Sequence, residues 1–313
     1  MRSMSGPTAP PEAALPEPLR GLVRETPLVD APALGAALKL ESLQRGGSFK
    51  VRGTCVALAA LHARGVQRVV AASAGNHGLG LALAAAALGM HAELFVPKNA
   101  AQIKRERIAT LGAVVRMEGA DYDEAEAAAK ARATEVGLPF VSPFDDDAVM
   151  AGNGGWLGRE ILKQRPSTRR IVVPVGGGGL VAGLLGAVPG AVEIIGVQPT
   201  GACAMARSLR EGTAILTDPG DRTICSGLDG GVSARTFAIA RDRQLRVEIV
   251  EEEAILPALA FAYRRLGQVI EPASATVIAA ALGGLIPCEA ETVLVVTGGN
   301  VDAALLDRAI GSG

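Results

Sequence analysis

The sequence predicts an α/β fold in which mostly parallel sheets are covered by helices. Three observations predict it. Apolar runs of four to six residues alternate with longer Ala-rich stretches of helical period, as in βαβ units. Several short runs, such as Val69-Val70-Ala71-Ala72 and Val293-Leu294-Val295-Val296, are continuously apolar, as strands are when helices cover both faces of a sheet. The 313 residues include 39 glycines, more than the usual share of about 7%, and three clusters of them sit where an apolar run meets a helical stretch.

A loose lead-in occupies residues 1–26. The spacing then predicts strands at 68–72, 92–96, 113–117, 170–175, 193–198, 246–250 and 292–297. It predicts helices at 54–64, 79–88, 101–111, 123–136, 147–163, 202–211, 252–266, 274–282 and 301–310. Breaks fall at 65–67 and at 137–147, where Pro139, Pro143 and an Asp triplet interrupt the pattern. We expect a larger domain of residues 1–67 and 146–313 with a smaller one, 68–145, inserted in it. A cleft between two such domains is a natural small-molecule site.

Composition narrows the function. The formal net charge is -1 and the 31 Lys and Arg are scattered, which argues against a nucleic-acid or anionic-membrane partner. With Trp 1, Tyr 2 and Phe 6, base-stacking platforms are not expected. Cys55, Cys203, Cys225 and Cys288 lie far apart with no C-x-x-C, so we expect small buried thiols in a reducing, cytoplasmic setting. The three histidines form no H-E-x-x-H, leaving little for a zinc site. Residues 1–18 are rich in Pro and Ala and lack the apolar stretch of a secretory leader. The longest apolar run, 79–88, is shorter than the roughly 20 residues a bilayer span needs.

The chemistry is concentrated in three strand–loop–helix junctions and one lysine. Ligands in open α/β sheets bind beyond the carboxyl ends of the strands. The first junction is Ser73-Ala74-Gly75-Asn76-His77-Gly78, whose exposed amides at a helix start favour a carboxylate. A plain turn capped by Asn76 is the alternative. The second is Gly176-Gly177-Gly178-Gly179-Leu180. Four consecutive glycines permit close backbone approach, and a phosphate at the helix start is the natural ligand. Gly177, Gly179 and Ala182 also satisfy a loose dinucleotide pattern. The next strand, however, ends Gly196-Val197-Gln198-Pro199 without the acid that would hold a ribose. The third is Thr297-Gly298-Gly299-Asn300, a hydroxyl at a strand end beside two glycines. The lysine is Lys50 in Gly46-Gly47-Ser48-Phe49-Lys50-Val51-Arg52-Gly53. An amine partly buried there would have a lowered pKa and could form a Schiff base; a surface lysine at a helix start is the alternative.

Taken in order and spacing, Ser48-Phe49-Lys50-Val51-Arg52-Gly53, Ser73-Ala74-Gly75-Asn76-His77, the tetraglycine loop and Thr297-Gly298-Gly299-Asn300 resemble the serine/threonine dehydratase family, over about residues 26–310. These are pyridoxal 5'-phosphate enzymes of fold type II, with two open, mostly parallel twisted sheets covered by helices. The resemblance implies that Lys50 carries the cofactor as a Schiff base and takes the substrate α proton. It implies that Phe49 walls one ring face and Asn76 contacts the ring hydroxyl. Gly176, Gly177, Gly178, Gly179 and Leu180 would cradle the phosphate. Thr297, where many relatives have serine, would sit at the pyridine nitrogen. Ser73, Ala74, Gly75, Asn76 and His77 would hold the substrate carboxylate. The implied activity is dehydration and deamination of L-threonine or L-serine to a 2-oxo acid and ammonia, by a homodimer.

The departures from the family are specific. Racemases of the family carry a second serine where this chain has Ala74, so one-base elimination is favoured over racemisation. Relatives that bind a divalent cation have acids where this chain reads Gln198-Pro199-Thr200-Gly201-Ala202-Cys203-Ala204, so no metal is expected there. The family acid in T-I-A-D-G-L is Ser226 here. Competing readings are a racemase, a dehydratase of 3-hydroxyaspartate or an aryl-serine, and a sulfide-dependent β-replacement enzyme, whose relatives have Asp where this chain has Val51. A non-catalytic amino-acid sensor and a nicotinamide oxidoreductase are further readings. His62 and His91 are expected at the surface, and Lys104 to Arg107 on a solvated helix face. Glu271, before Pro272 at a helix start, serves either the helix dipole or the active site.

Overall fold

The computed structural model describes residues 15–218 and 223–311, so most of the 1–18 segment lies outside the described residues. The elements in chain order are α1 (Glu17–Arg20), β1 (Leu28–Ala31), β2 (Ala36–Leu40), α2 (Lys50–His62), β3 (Arg68–Ala72), α3 (Asn76–Leu88), β4 (His91–Val96), α4 (Gln102–Ala109), β5 (Val114–Met117), α5 (Tyr122–Val136) and α6 (Asp147–Met150). They continue with α7 (Leu157–Gln164), β6 (Arg170–Pro174), α8 (Gly179–Ala187), β7 (Glu193–Pro199), α9 (Ala204–Glu211), α10 (Ala234–Asp242), β8 (Arg246–Val250), α11 (Ile255–Leu266), α12 (Pro272–Leu282), β9 (Thr292–Val296) and α13 (Ala303–Gly311). A π-helical turn, Ala151–Trp156, joins α6 to α7, so the helix expected over 147–163 is continuous but underwound in its middle.

The strands form two sheets. The larger runs β1-β2-β9-β6-β7-β8 and the smaller β3-β4-β5. Every pairing is parallel except β1 with β2. The α/β class read from the sequence is therefore the class observed. One apolar cluster joins α11 and α12 to one face of the larger sheet, and another joins α7, α8 and α10 to the opposite face. Helices α2 and α3 share a core with the smaller sheet, and α5 packs on the other side of that sheet. Among the described residues no helix is long and apolar enough to cross a membrane.

Two strands escaped the sequence reading. β2 reads Ala-Ala-Leu-Lys-Leu, which has helical rather than β propensity, yet all five residues are buried between β1 and β9. Pairing decides its conformation. Helix α10 was also unassigned, and α8 was expected only as a helix starting after the tetraglycine loop, without bounds; Ser233 and Thr236 form a capping box that starts α10. Cys55 and Cys225 are buried as expected, whereas Cys203 and Cys288 are half-buried; all four are free thiols.

Helix α2 lies between the core of the smaller sheet and the π-helical turn. Its Val51, Cys55 and Leu58 join Val69, Leu81 and Leu94 in the core of the smaller sheet. Its backbone meets the π-turn so closely that a Cβ on Gly152 would lie 2.6 Å from the Cα of Gly53. The start of α2 is pinned by buried charges. Arg52 donates to Glu41 Oε2 at 2.7 Å and to Glu160 Oε1 at 2.7 Å, and Lys39 on β2 donates to the same Glu160 oxygen at 2.5 Å. Burial alone would raise the Glu41 carboxyl, but the Arg52 guanidinium holds it below the usual carboxylate range. Two cations and two anions neutralise one another, so no charge is left bare in the interior. Removing one of them leaves its partners uncompensated. Arg52→Met is expected to lower stability by about 3–5 kcal/mol, read as a fall in the denaturation midpoint; a loss under about 1 kcal/mol would contradict this role.

Candidate active site

Lys50 is the first residue of α2, and backbone bonds set its place. The Phe49 N–H donates to the Thr297 carbonyl at 3.0 Å, and the Gly299 N–H to the Gly47 carbonyl at 2.9 Å. The 46–50 segment is thus zipped to the loop after β9. Gly46 and Gly47 sit at φ +79° and +76°, a region open to glycine, and a Cβ on Gly47 would fall 2.7 Å from Asn300 Oδ1. The Lys50 amine donates to the Pro143 carbonyl at 3.0 Å and lies 5.2 Å from the centre of the Phe49 ring. Desolvation lowers its pKa to about 8, against the opposing pull of Glu271.

The tetraglycine loop links β6 to α8. Gly178 has φ +92°, and a Cβ there would lie 2.8 Å from Met205 and from Thr236. A Cβ on Gly177 would fall 2.5 Å from the Phe144 ring, and one on Gly179 2.6 Å from the Phe144 Cα. The loop therefore tolerates no side chain. Its carbonyls are engaged from behind: Thr236 Oγ1 donates to the Gly177 carbonyl at 2.8 Å, and Gln198 Nε2 to the Val175 carbonyl at 3.0 Å. Among the described residues no hydrogen bond occupies the N–H groups of Gly176, Gly177 or Gly178. Free amides at the start of the nine-residue α8, with Leu180 buried behind them, fit a phosphate. Pro143 and Phe144 connect the two features, since one binds the Lys50 amine and the other packs on the glycines. Gln198 is consumed in bonding, its Oε1 accepting from the Ala206 N–H at 2.9 Å, so the ribose-binding acid of a dinucleotide site has no counterpart.

The 73–77 turn opens α3. Ser73 Oγ accepts from the Gly75 N–H at 3.1 Å, and a Cβ on Gly78 would lie 2.3 Å from the Ser73 carbonyl. Ala74 and Gly75 leave the turn open on its outer side, and Gly75 caps the helix without a side-chain bond. The His77 ring is buried, and its Nε2–H donates to the Val141 carbonyl at 3.1 Å, which fixes the tautomer. Burial and the nearby Lys50 charge lower its pKa to about 3, so it is neutral at ordinary pH. His77 anchors the turn rather than moving protons.

Asn76 and Thr297 meet groups that the sequence left open or unnoticed. Asn76 Nδ2 donates to both Glu271 oxygens, at 3.0 and 2.9 Å, and its Oδ1 accepts from Asn300 Nδ2 at 2.7 Å. Burial raises the Glu271 pKa to about 7; it stands at the start of α12 and at the same time against Asn76, so its position serves both of its readings. Thr297 Oγ1 lies 3.0 Å from Ser274 Oγ, which also donates to the Gly298 carbonyl at 2.9 Å. Sequence reasoning missed Phe144, Ser274 and the side chain of Asn300. Glu271-Pro272-Ala273-Ser274 at a helix start was the available signal, because its helix points back at the loop after β9.

These residues fit pyridoxal phosphate on chemical grounds. The set offers a desolvated amine for an aldehyde, bare amides for a phosphate, an amide side chain for a ring hydroxyl and a hydroxyl pair for a pyridine nitrogen. Residues 19–298 match the family described as pyridoxal-phosphate dependent enzyme. An L-threonine ammonia-lyase of Thermotoga maritima is 37% identical over 94% of this chain and 76% of its own. A catabolic L-threonine dehydratase of Staphylococcus aureus is 34% identical over 94% of this chain and 89% of its own. The processed threonine deaminase isoform 2 of Solanum lycopersicum superposes with a TM-score of 0.85 at 30% identity, covering 99% of this chain and 92% of that one. Maize serine racemase gives 0.84 at 29% identity, covering 94% and 96%. In sequence and in fold alike, the chain belongs to the family of pyridoxal-phosphate dependent enzymes.

Proposed function

We infer that the chain is a pyridoxal-phosphate-dependent ammonia-lyase that converts L-threonine, and by the same chemistry L-serine, to a 2-oxo acid and ammonia. The observation that carries this reading is the hydroxyl pair Thr297–Ser274 in place of a carboxylate, together with a desolvated Lys50 and Ala74 in the facing turn. The relatives named above as L-threonine ammonia-lyase and dehydratase support the substrate.

When bound, pyridoxal phosphate supplies an electron sink for the pair left at the substrate Cα. The remaining work belongs to the protein. The amides of residues 176–179 and Leu180 would hold the phosphate, Phe49 would wall one ring face, and Asn76 would donate to the ring hydroxyl. Residues 73–77 hold the substrate carboxylate at the start of α3. Lys50 takes the proton from Cα as general base. Thr297, with Ser274 beside it, would offer the ring nitrogen a hydroxyl, which favours ring protonation less than a carboxylate would and so suits loss of a β-hydroxyl. Water lost in the elimination is regained when the C–N bond is hydrolysed, so threonine yields a 2-oxo acid and ammonia in balance. Ala74 offers no proton donor on the opposite face, which favours elimination over racemisation.

We place the enzyme in the cytoplasm as a homodimer, acting on a free amino acid. The smaller domain is built on residues 68–145 and also takes in α2 from the 1–67 segment, with the substrate held where it meets the larger one.

A panel of β-hydroxy amino acids scored for ammonia and for D-amino acid tests the activity. L-threonine and L-serine are expected to release ammonia, and Lys50→Ala to lower the rate about 10²–10⁴-fold. D-amino acid as the main product would favour a racemase instead. Thr297→Asp is expected to keep cofactor binding and to slow elimination roughly 100-fold; unchanged turnover would count against the role of Thr297. Attachment of pyridoxal phosphate to the apoprotein requires the neutral amine. Its rate should rise with pH and level off above about 8; a rise continuing to pH 10 would show an ordinary solvated lysine.

A further inference from the structure

We propose that Arg107, Asn300, Asn76 and Glu271 form a directed hydrogen-bond chain that fixes which end of the Asn76 amide faces the cofactor ring. Arg107 and Asn300 are then positioning residues for a contact that neither makes. The proposal rests on the reading of Asn76 given above and extends it outward from the site.

The direction follows from what each group can do. Arg107 has donors only, and its Nη1 and Nη2 both lie 3.3 Å from Asn300 Oδ1. That end of Asn300 must therefore be the carbonyl. Asn300 Nδ2 then donates twice, to the Gly46 carbonyl at 2.8 Å and to Asn76 Oδ1 at 2.7 Å. The Gly46 carbonyl can only accept, which makes the assignment independent of Arg107 alone. Asn76 Oδ1 is thereby committed as an acceptor, and its NH₂ points the other way. Glu271 lies on that side, with its two oxygens 3.0 and 2.9 Å from Nδ2. One bifurcated N–H satisfies this geometry and leaves the second N–H for a ligand oxygen. Glu271 is held from several sides: its backbone N–H donates to the Gly298 carbonyl at 3.0 Å, its carboxylate also accepts from the Asn300 backbone, and it packs on Gly298, where a Cβ would strike it.

A donor aimed at a ring hydroxyl favours its ionised form, and a carbonyl aimed there opposes it. The chain thus sets the ionisation of the ring from a distance. It also spans the two halves of the fold. Arg107 lies exposed on α4, between β4 and β5 of the smaller sheet, whereas Asn300 follows β9 of the larger. An ion pair of Lys104 with Asp302, at 3.9 Å, bridges the same gap. The amide is oriented fully only when these two surfaces meet.

The test uses the full chain loaded with pyridoxal phosphate. The readouts are the ratio of its visible to near-ultraviolet absorbance bands at fixed pH and its dissociation constant by fluorescence titration. In Asn300→Asp the carboxylate can only accept, so Asn76 must turn its NH₂ toward it. The visible band is expected to fall and the dissociation constant to rise about tenfold. Arg107→Met, at an exposed position, should move both readouts in the same direction by about threefold. Glu271→Gln retains an acceptor and should keep most of the visible band, whereas Glu271→Leu should lose it. Wild-type band ratio and affinity in folded Arg107→Met overturn the proposal, even if Asn300→Asp does not fold. A wild-type chain that takes up no coloured cofactor overturns instead the reading of the site, whatever the variants do.

Discussion

A lysine that is to react must be both poorly hydrated and immobile, and the first turn of α2 meets both demands through a buried lattice of charge. Arg52, two residues beyond Lys50, is fully enclosed and bonded to Glu41 and Glu160. Those carboxylates reach it from the turn after β2 and from α7, so three separate parts of the chain converge on one guanidinium. An isolated pair would gain little against the cost of desolvation. Here Lys39 balances the second carboxylate, Thr26 Oγ1 donates to Glu41, and Gln164 Oε1 accepts from Lys39. Its value is geometric: it fixes the axis and rotation of α2, and hence where the Lys50 amine begins.

The rest of the site follows from that placement. Strands β3, β6 and β9 run parallel to their neighbours within their own sheets, and the loops at their carboxyl ends carry the 73–77 turn, the tetraglycine run and Thr297. The glycines need orientation, since a loop without side chains has none of its own. Thr236 and Gln198 provide it by holding carbonyls from the far side, which leaves the amides free. Asn76 is held in the same way, its two amide ends taken up by Asn300 and Glu271. In each case a group that the proposed reading turns toward the ligand is set by a partner on its far side.

Much of this was legible in the sequence, for reasons that differ by element. β3 and β8 were read with their observed ends because their Val and Ile content and flanking breaks agree with their pairing. β2 was not, because its alanines, leucines and lysine carry no β signal and its conformation comes from β9. The glycine loops were plain because close approach of backbone requires glycine whatever surrounds it. Lys50 was ambiguous on its own, since a sequence does not state which carbonyl will receive the amine. Pro143, the acceptor, lies 93 residues away. Glu271 was left between two roles for the same reason: its partner Asn76 is 195 residues distant. Function written in one stretch of chain can be read there, whereas function made by the meeting of stretches requires the fold.

The central claim is that one amine, that of Lys50, holds the cofactor. The most direct measurement is hydride reduction of the loaded protein followed by peptide mapping. The account predicts a single reduced pyridoxyl adduct, on Lys50. An adduct on another lysine, or none on a chain that has bound pyridoxal phosphate, would contradict it.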